Sequence, residues 1–160
     1  MSRPIRFYVA VLPNADWNTL LGRYHQCEAL GFDVAAVADH FVDWTNPPSP
    51  WFDLFTLAAA VAARTERIRI LSCVAQIPLR GPAMCARQTL SVDQISNGRF
   101  ELGLGIGLPI DPSYRMMGIP NWDNPERVAR FTEYVEIVDS MLSNEVTSYS
   151  GKYYQIEEAV

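Results

Sequence analysis

Four short apolar runs, at residues 7–12, 33–38, 68–73 and 100–104, recur every 26 to 35 residues, and a helix-like segment follows each. Runs of this length bounded by Pro, Asn or Gly read as strands, and strands alternating with helices read as a parallel sheet. The first, closed by Pro13 and Asn14, suits a strand buried on both faces. Asp16 can cap a helix in which Trp17, Leu20, Leu21, Tyr24 and Cys27 share one side, and Gly31 ends it. A second helix, residues 52–64, is apolar nearly all round and is expected to be well buried. Gly81-Pro82 opens a third helix and Asn97-Gly98 closes it.

The last helix starts at Asn124-Pro125-Glu126. There Val128, Phe131, Val135, Val138 and Leu142 step by three and four, which predicts one apolar stripe. Two β-prone runs around Ser150-Gly151 predict a hairpin. Two long proline-bearing loops, 41–50 and 106–123, interrupt the pattern. Loops of that length in compact α/β domains are often functional lids.

Alternating strands and helices leave the doubly wound open sheet and the (β/α)8 barrel. A dinucleotide-binding open sheet wants G-x-G-x-x-G between its first strand and a helix. Here Gly103-Leu104-Gly105-Ile106-Gly107 follows the fourth strand and leads into a proline-rich loop. These glycines instead let a strand end lie against another backbone or a flat ligand. Four units make half a barrel, since closure needs eight strands and about 250 residues. A free half would expose two sheet edges, so either the chain continues past Val160 or halves pair between chains. The expected architecture is α/β, a (β/α)8 TIM barrel with its first four βα units present, residues 1–160 forming the amino-terminal half of one domain.

Composition narrows the partners. The chain has 160 residues, a formal net charge of -5 and no Lys/Arg cluster, which argues against nucleic acid and anionic membrane. Its longest apolar stretch, 54–63, is too short to span a bilayer, and the first residues carry no cleavage-type leader. Cys27, Cys73 and Cys85 show no paired spacing, as expected in a reducing cytoplasm. A small-molecule substrate and homo-oligomeric assembly are expected.

The unusual residues sit where strands end. His40, beside Asp39, follows strand two; a histidine near its natural pKa moves protons at neutral pH, and an adjacent carboxylate can orient it. A loop Asp-His pair that only caps the turn is the alternative. His25, in helix one, reads as solvent-facing and without a role. Ser72 and Cys73 end strand three. Ser72 offers a hydroxyl to a cofactor or is a satisfied core serine, and Cys73 reads as a small buried hydrophobe. Two distant histidines and scattered cysteines fit no metal-ligand spacing, so no metal is expected. Chemistry borrowed from an organic cofactor is the natural option. Phe41, Trp44, Trp51 and Phe52 suit a flat ring or an apolar substrate; equally, they pack the loop down.

The stretches EALGFDVAAVADHF, AARTERIRIL, ARQTLSVDQISNGRFELGLGIG, PERVARFTEYVEIVDSML and YSGKYYQI, in this order and spacing, resemble the bacterial luciferase-like flavin-dependent oxidoreductases. The resemblance implies a (β/α)8 barrel of about twice this length that binds reduced FMN or the deazaflavin coenzyme F-420. Members activate O2 through the flavin or pass hydride between coenzyme and substrate. It implies that Asp39 and His40 lie beside the ring or substrate as catalytic residues. Asp39, Ser72, Cys73 and Gly105 would line the cofactor, and the Ser72-Cys73 bond would be a non-prolyl cis peptide. Leu108-Pro109-Ile110-Asp111 departs from the polar or aromatic and then acidic residues usual after GLGIG. The half alone is expected to bind cofactor poorly and to be inactive. A non-catalytic flavin-binding or structural half-barrel is the alternative.

Overall fold

The structure is a computed structural model that describes residues 5–160; residues 1–4, part of the stretch read as carrying no leader, lie outside them. The chain divides into two compact units. One holds the residues up to Ala75 with Ser91–Gly103, the other Gln76–Leu90 with Leu104–Val160.

The first unit is built on a parallel sheet. Its strands are β1 (Tyr8–Ala10), β2 (Val34–Val37), β3 (Arg69–Ser72) and, after the short β4 (Ala75–Gln76), β5 (Phe100–Glu101). The order is β1-β2-β3-β5, with Ala35 level with Ile70 and Ile70 level with Phe100. These three side chains share one face and are buried, and the Phe100 ring lies 5.9 Å from that of Phe55. Phe55 belongs to α2 (Leu54–Ala62), where six of nine residues are buried, as an all-round apolar helix requires. Asp53 caps it through the Thr56 amide at 2.8 Å. Asp16 caps α1 (Trp17–Ala29) in the same way through Thr19, and α1 buries Leu20, Leu21, Tyr24 and Cys27.

Two charged side chains tie these elements together. Arg99 donates to the carbonyls of Ala62, Thr65 and Ile68 at 2.8–2.9 Å, closing the end of α2 onto β3. Glu28, in the last turn of α1, accepts the amides of Glu66, Arg67 and Ile68. Partial burial disfavours its charge, but those three amides win and hold its carboxyl below the usual glutamate range.

Three expectations change here. β1 is not buried on both faces: Tyr8 is 61% exposed, and Phe7 and Leu12 are exposed too. As the terminal strand of its sheet it has one unpaired edge. The run at 100–104 splits into β5 and β6 (Leu104–Gly105), because β3 pairing stops at Glu101. His25 is exposed, as read, yet its Nε2 lies 2.8 Å from the Arg64 carbonyl oxygen and so has a structural contact.

The second unit holds most of α3 (Pro82–Ser96), a short α4 (Ser113–Met117) inside the second long loop, and α5 (Asn124–Ser143). Asp123 caps α5 through the Glu126 amide at 2.8 Å. The predicted stripe is only partly the buried face: Val138 is buried and Phe131 half-buried. Val128 is 57% exposed, Val135 and Leu142 are exposed, and the helix buries Arg127, Tyr134, Ile137 and Val138. The periodicity holds, but the buried face is turned towards Arg127, Tyr134 and Ile137, each one residue before a member of the predicted stripe. β7 (Thr147–Ser150) and β8 (Gln155–Ala159) form the expected hairpin, with Ser150 opposite Gln155. Its turn is anchored by Glu133 of α5, whose carboxylate accepts the amides of Lys152, Tyr153 and Tyr154.

Candidate active site

Parallel pairing brings the first pair of candidates level with the second. Val37 at the end of β2 lies opposite Ser72 at the end of β3, and the Cys73 amide donates to the Val37 carbonyl at 2.8 Å. Asp39-His40 and Ser72-Cys73 therefore leave adjacent strands at the same, carboxyl-terminal end, where parallel α/β sheets place their ligands. Asp39 is buried and His40 half-buried.

The His40 ring makes a T-shaped contact with Trp44, 4.6 Å between centroids, and lies 6.0 Å from Trp51. The loop that carries these rings is ordered by Asp43, which accepts from the Thr45 hydroxyl at 2.6 Å and from the Thr45 and Asn46 amides. The Thr45 hydroxyl, then its amide, holds the Asp43 carboxyl below the usual range. Both indole N–H groups, Trp44 Nε1 and Trp51 Nε1, are buried and have no hydrogen-bond acceptor. Buried donors in folded proteins are nearly always paired, so two orphans beside one histidine call for an acceptor from outside the chain. An aromatic or carbonyl-bearing ligand meets that need.

Ser72 is buried, and its hydroxyl is engaged with Gly103, donating to the carbonyl at 2.9 Å and accepting the amide at 2.8 Å. A Cβ on Gly103 would overlap the Ser72 carbonyl oxygen. The first glycine of GLGIG thus serves backbone approach, as expected. Two expectations about strand three are corrected. The cis peptide is Cys73-Val74, one bond later than the Ser72-Cys73 bond expected, because the ladder to Val37 keeps the chain extended through the Cys73 amide. Cys73 is exposed instead of buried: Ile70 and Ser72 point to the packed face, and side chains alternate along a strand.

Gly105 is half-buried and belongs to the second unit. Two residues on, Gly107 has φ +75°, and a Cβ there would overlap the Tyr114 hydroxyl and come within 2.8 Å of Gln76 Oε1. It sits in a buried polar knot that sequence reading missed. Arg127, fully buried, donates to the carbonyls of Trp122 and Ile106 at 2.9 Å and to Asn121 Oδ1 at 2.5 Å. The Tyr114 hydroxyl donates to Gln76 Oε1 at 2.7 Å and accepts the Leu108 amide; Gln76 Nε2 donates to Asp111. Burial raises the Tyr114 pKa. Sequence reading had no signal for the knot, because Arg127 lies one residue off the predicted apolar stripe.

Among the described residues no helix is long and apolar enough to cross a membrane, and no three His, Cys, Asp or Glu side chains are grouped to hold a metal ion.

A parallel sheet with helices packed on it and polar residues gathered at its strand tips defines an α/β protein. The chain belongs to the luciferase-like monooxygenase family, whose model matches residues 3–160. It is 31% identical over 164 residues to an F420-dependent glucose-6-phosphate dehydrogenase of Segniliparus rotundus, covering 99% of this chain and 48% of that protein. It is 35% identical over 108 residues to the pyrimidine monooxygenase RutA of Yersinia enterocolitica, covering 65% of this chain and 28% of that one. Among solved structures, an F420-dependent secondary alcohol dehydrogenase in complex with an F420-acetone adduct superposes with a TM-score of 0.84 at 21% identity, over 99% of this chain and 48% of that one. The monooxygenase RslO1 from Streptomyces bottropensis gives 0.79 at 24%, over 97% and 48%. The chain spans about half the length of such relatives.

Proposed function

We propose that residues 1–160 are the amino-terminal, four-unit half of a luciferase-like (β/α)8 barrel domain, and that the intact protein is a flavin- or deazaflavin-dependent oxidoreductase acting on a small organic substrate. The observation that carries the reading is the pair of buried, unpaired indole donors packed around His40 at the strand tips. FMN or the deazaflavin coenzyme F-420 fits this donor set, since either offers a flat heterocycle edged with carbonyl acceptors. Relatives of both kinds, deazaflavin-dependent dehydrogenases and monooxygenases, support the class.

When bound, the cofactor supplies the redox step that no side chain here can perform. His40 holds or accepts the substrate proton at a ring nitrogen, and the Trp44 and Trp51 rings pack against that ring and fix its position. Asp39, the neighbouring carboxylate, orients His40 or contacts the cofactor ring. With the Ser72 hydroxyl committed to Gly103, Ser72, Cys73 and Gly105 contribute mainly backbone. The aromatic walls keep water from the reacting atoms.

His40→Asn tests the assignment. Turnover at saturating cofactor in the intact protein is expected to fall by about 100-fold or more, with FMN or deazaflavin affinity, read from fluorescence quenching, changed little. Unchanged turnover removes His40 from the mechanism. A flavin binder without catalysis is the second reading. Quenched FMN with no turnover in the presence of reductant and O2 would select it.

A further inference from the structure

Residues 41–52 cross the strand tips as a strap with little cover of its own. Thr45, Asn46, Pro47 and Pro48 at its tip are exposed, and Asp43 is its one buried residue. So exposed a segment keeps its place through its anchors, because it buries too little to offset the entropy of ordering. Two anchors hold it, and both lie on the segment that follows β1. β1 and β2 are neighbours, and their ladder runs on to the Val11 amide, which donates to Ala36 at 2.9 Å. Pro13 and Asn14 therefore emerge at the same end of the sheet as Asp39 and His40. The Pro13 carbonyl accepts the Phe52 amide at 3.2 Å, which ties down the far end of the strap. The near end is held through Asp43. Its carboxylate serves Thr45 and Asn46 inside the loop, and it also accepts from the Asn14 side chain. Asn14 Oδ1 meanwhile accepts from the Arg23 guanidinium of α1 at 3.3 Å. With its acceptor turned to a cation and its donor to an anion, this amide has one orientation and bridges α1 to the strap.

We propose that Asn14 is a positioning residue of the candidate site: by holding Asp43 it fixes Trp44, the next residue, and through Trp44 the His40 ring 4.6 Å away. The inference rests on the proposed function for what those rings do, and on hydrogen bonds alone for where they are held. A carboxylate as buried as Asp43, 8% exposed, needs hydrogen-bond partners in place of water. Thr45 and Asn46 satisfy it from within the loop and travel with it, so they cannot fix the loop to the sheet. Asn14 stands on another element and does not travel. The residue type matters too. Aspartate at this position would still meet Arg23 but would set carboxylate against carboxylate at Asp43, and alanine would meet neither. Slack in the strap would reach Trp44 first, since its indole N–H is buried without an acceptor and no side-chain hydrogen bond of its own holds the ring.

The test compares Asn14→Ala, Asn14→Asp and the swapped pair Asn14→Asp/Asp43→Asn in the intact protein by NMR. The Trp44 indole N–H signal, assigned with Trp44→Phe, and hydrogen exchange at the Thr45 and Asn46 amides report on the strap. The Ile70 amide, bonded to the Arg99 carbonyl inside the sheet, shows that each variant is folded. In Asn14→Ala the two loop amides should exchange about tenfold faster and the indole signal should move, with Ile70 unchanged. FMN or F-420 affinity, read by fluorescence quenching, should weaken about tenfold because the aromatic walls are no longer pre-organised. Asn14→Asp should loosen the strap further. The swapped pair again sets an amide against a carboxylate, and should return both readouts to within about threefold of the unsubstituted protein. A folded Asn14→Ala with unchanged loop exchange and an unmoved Trp44 signal overturns the proposal. So does a swapped pair no tighter than Asn14→Asp. The proposed function fails separately: if the unsubstituted protein quenches neither FMN nor F-420 while the strap still loosens and is rescued, the anchor stands and the cofactor reading falls.

Discussion

The two long proline-bearing loops differ in how their polar groups are spent. In the first, Asp43 makes a local turn and two tryptophans bury indole donors without acceptors. In the second, Arg127 is as deeply buried as any described residue, and each of its donating nitrogens has an oxygen partner. Burial alone does not mark a site. Two unfilled donors grouped beside a histidine are the better sign, since single unpaired groups such as the Tyr24 hydroxyl also occur inside the fold. The first loop is therefore read as ligand-facing, and the second as a rigid wall.

The comparison breaks most sharply at Arg127. Arg127→Met should cost about 3–5 kcal/mol, and urea unfolding measures it. It removes three hydrogen bonds of a fully buried guanidinium and leaves the half-buried Ile106 and Trp122 carbonyls without their donor. A loss under about 1 kcal/mol would show that the second loop does not depend on the knot. Gly107→Ala comes next, at about 1–3 kcal/mol, because the left-handed backbone and the Tyr114 hydroxyl both oppose a methyl group. The same melts detect it. The first loop should answer in the opposite way. Trp44→Phe and Trp51→Phe delete unpaired donors, so unfolding should change by less than about 1 kcal/mol, while FMN or deazaflavin affinity weakens several-fold. A marked loss of stability with unaltered affinity would return those rings to plain packing.

The smallest effect is electrostatic and sharpens the contrast from outside both loops. Glu28 has a folded pKa below its unfolded value, so its contribution is present above the unfolded pKa near 4.5 and fades as pH falls through the folded one. Glu28→Gln should narrow the stability gap between neutral and acid pH, which thermal melts across that range will show. A gap as wide as in the unsubstituted protein would mean that the three amides do not depend on the carboxylate charge.

Much of the fold was legible because the apolar runs and caps agree with one another. Asp16, Asp53 and Asp123 each cap the helix they precede, and residues 34–37 bury every side chain. What failed turned on which face points inward. Arg127 reads as a surface residue, so the α5 stripe was drawn one residue off its buried side. Cys73 was assigned to the wrong face of β3, and the cis bond one step early, because ladder length is set by Val37, which a sequence does not show to be its neighbour. At the strand tips, Asp39 and His40 stood out by residue type and position. The unpaired state of the two indoles did not, since hydrogen-bond satisfaction exists only in three dimensions.

Glu133 carries a last consequence. One carboxylate on α5 serves three successive amides of the hairpin turn. The ribbon and the helix are thus a single mechanical part, a hook latched by one side chain, and neither can be transplanted alone. A hairpin moved without its helix would bring three bare N–H groups along, whereas the pair transferred together keeps its own latch.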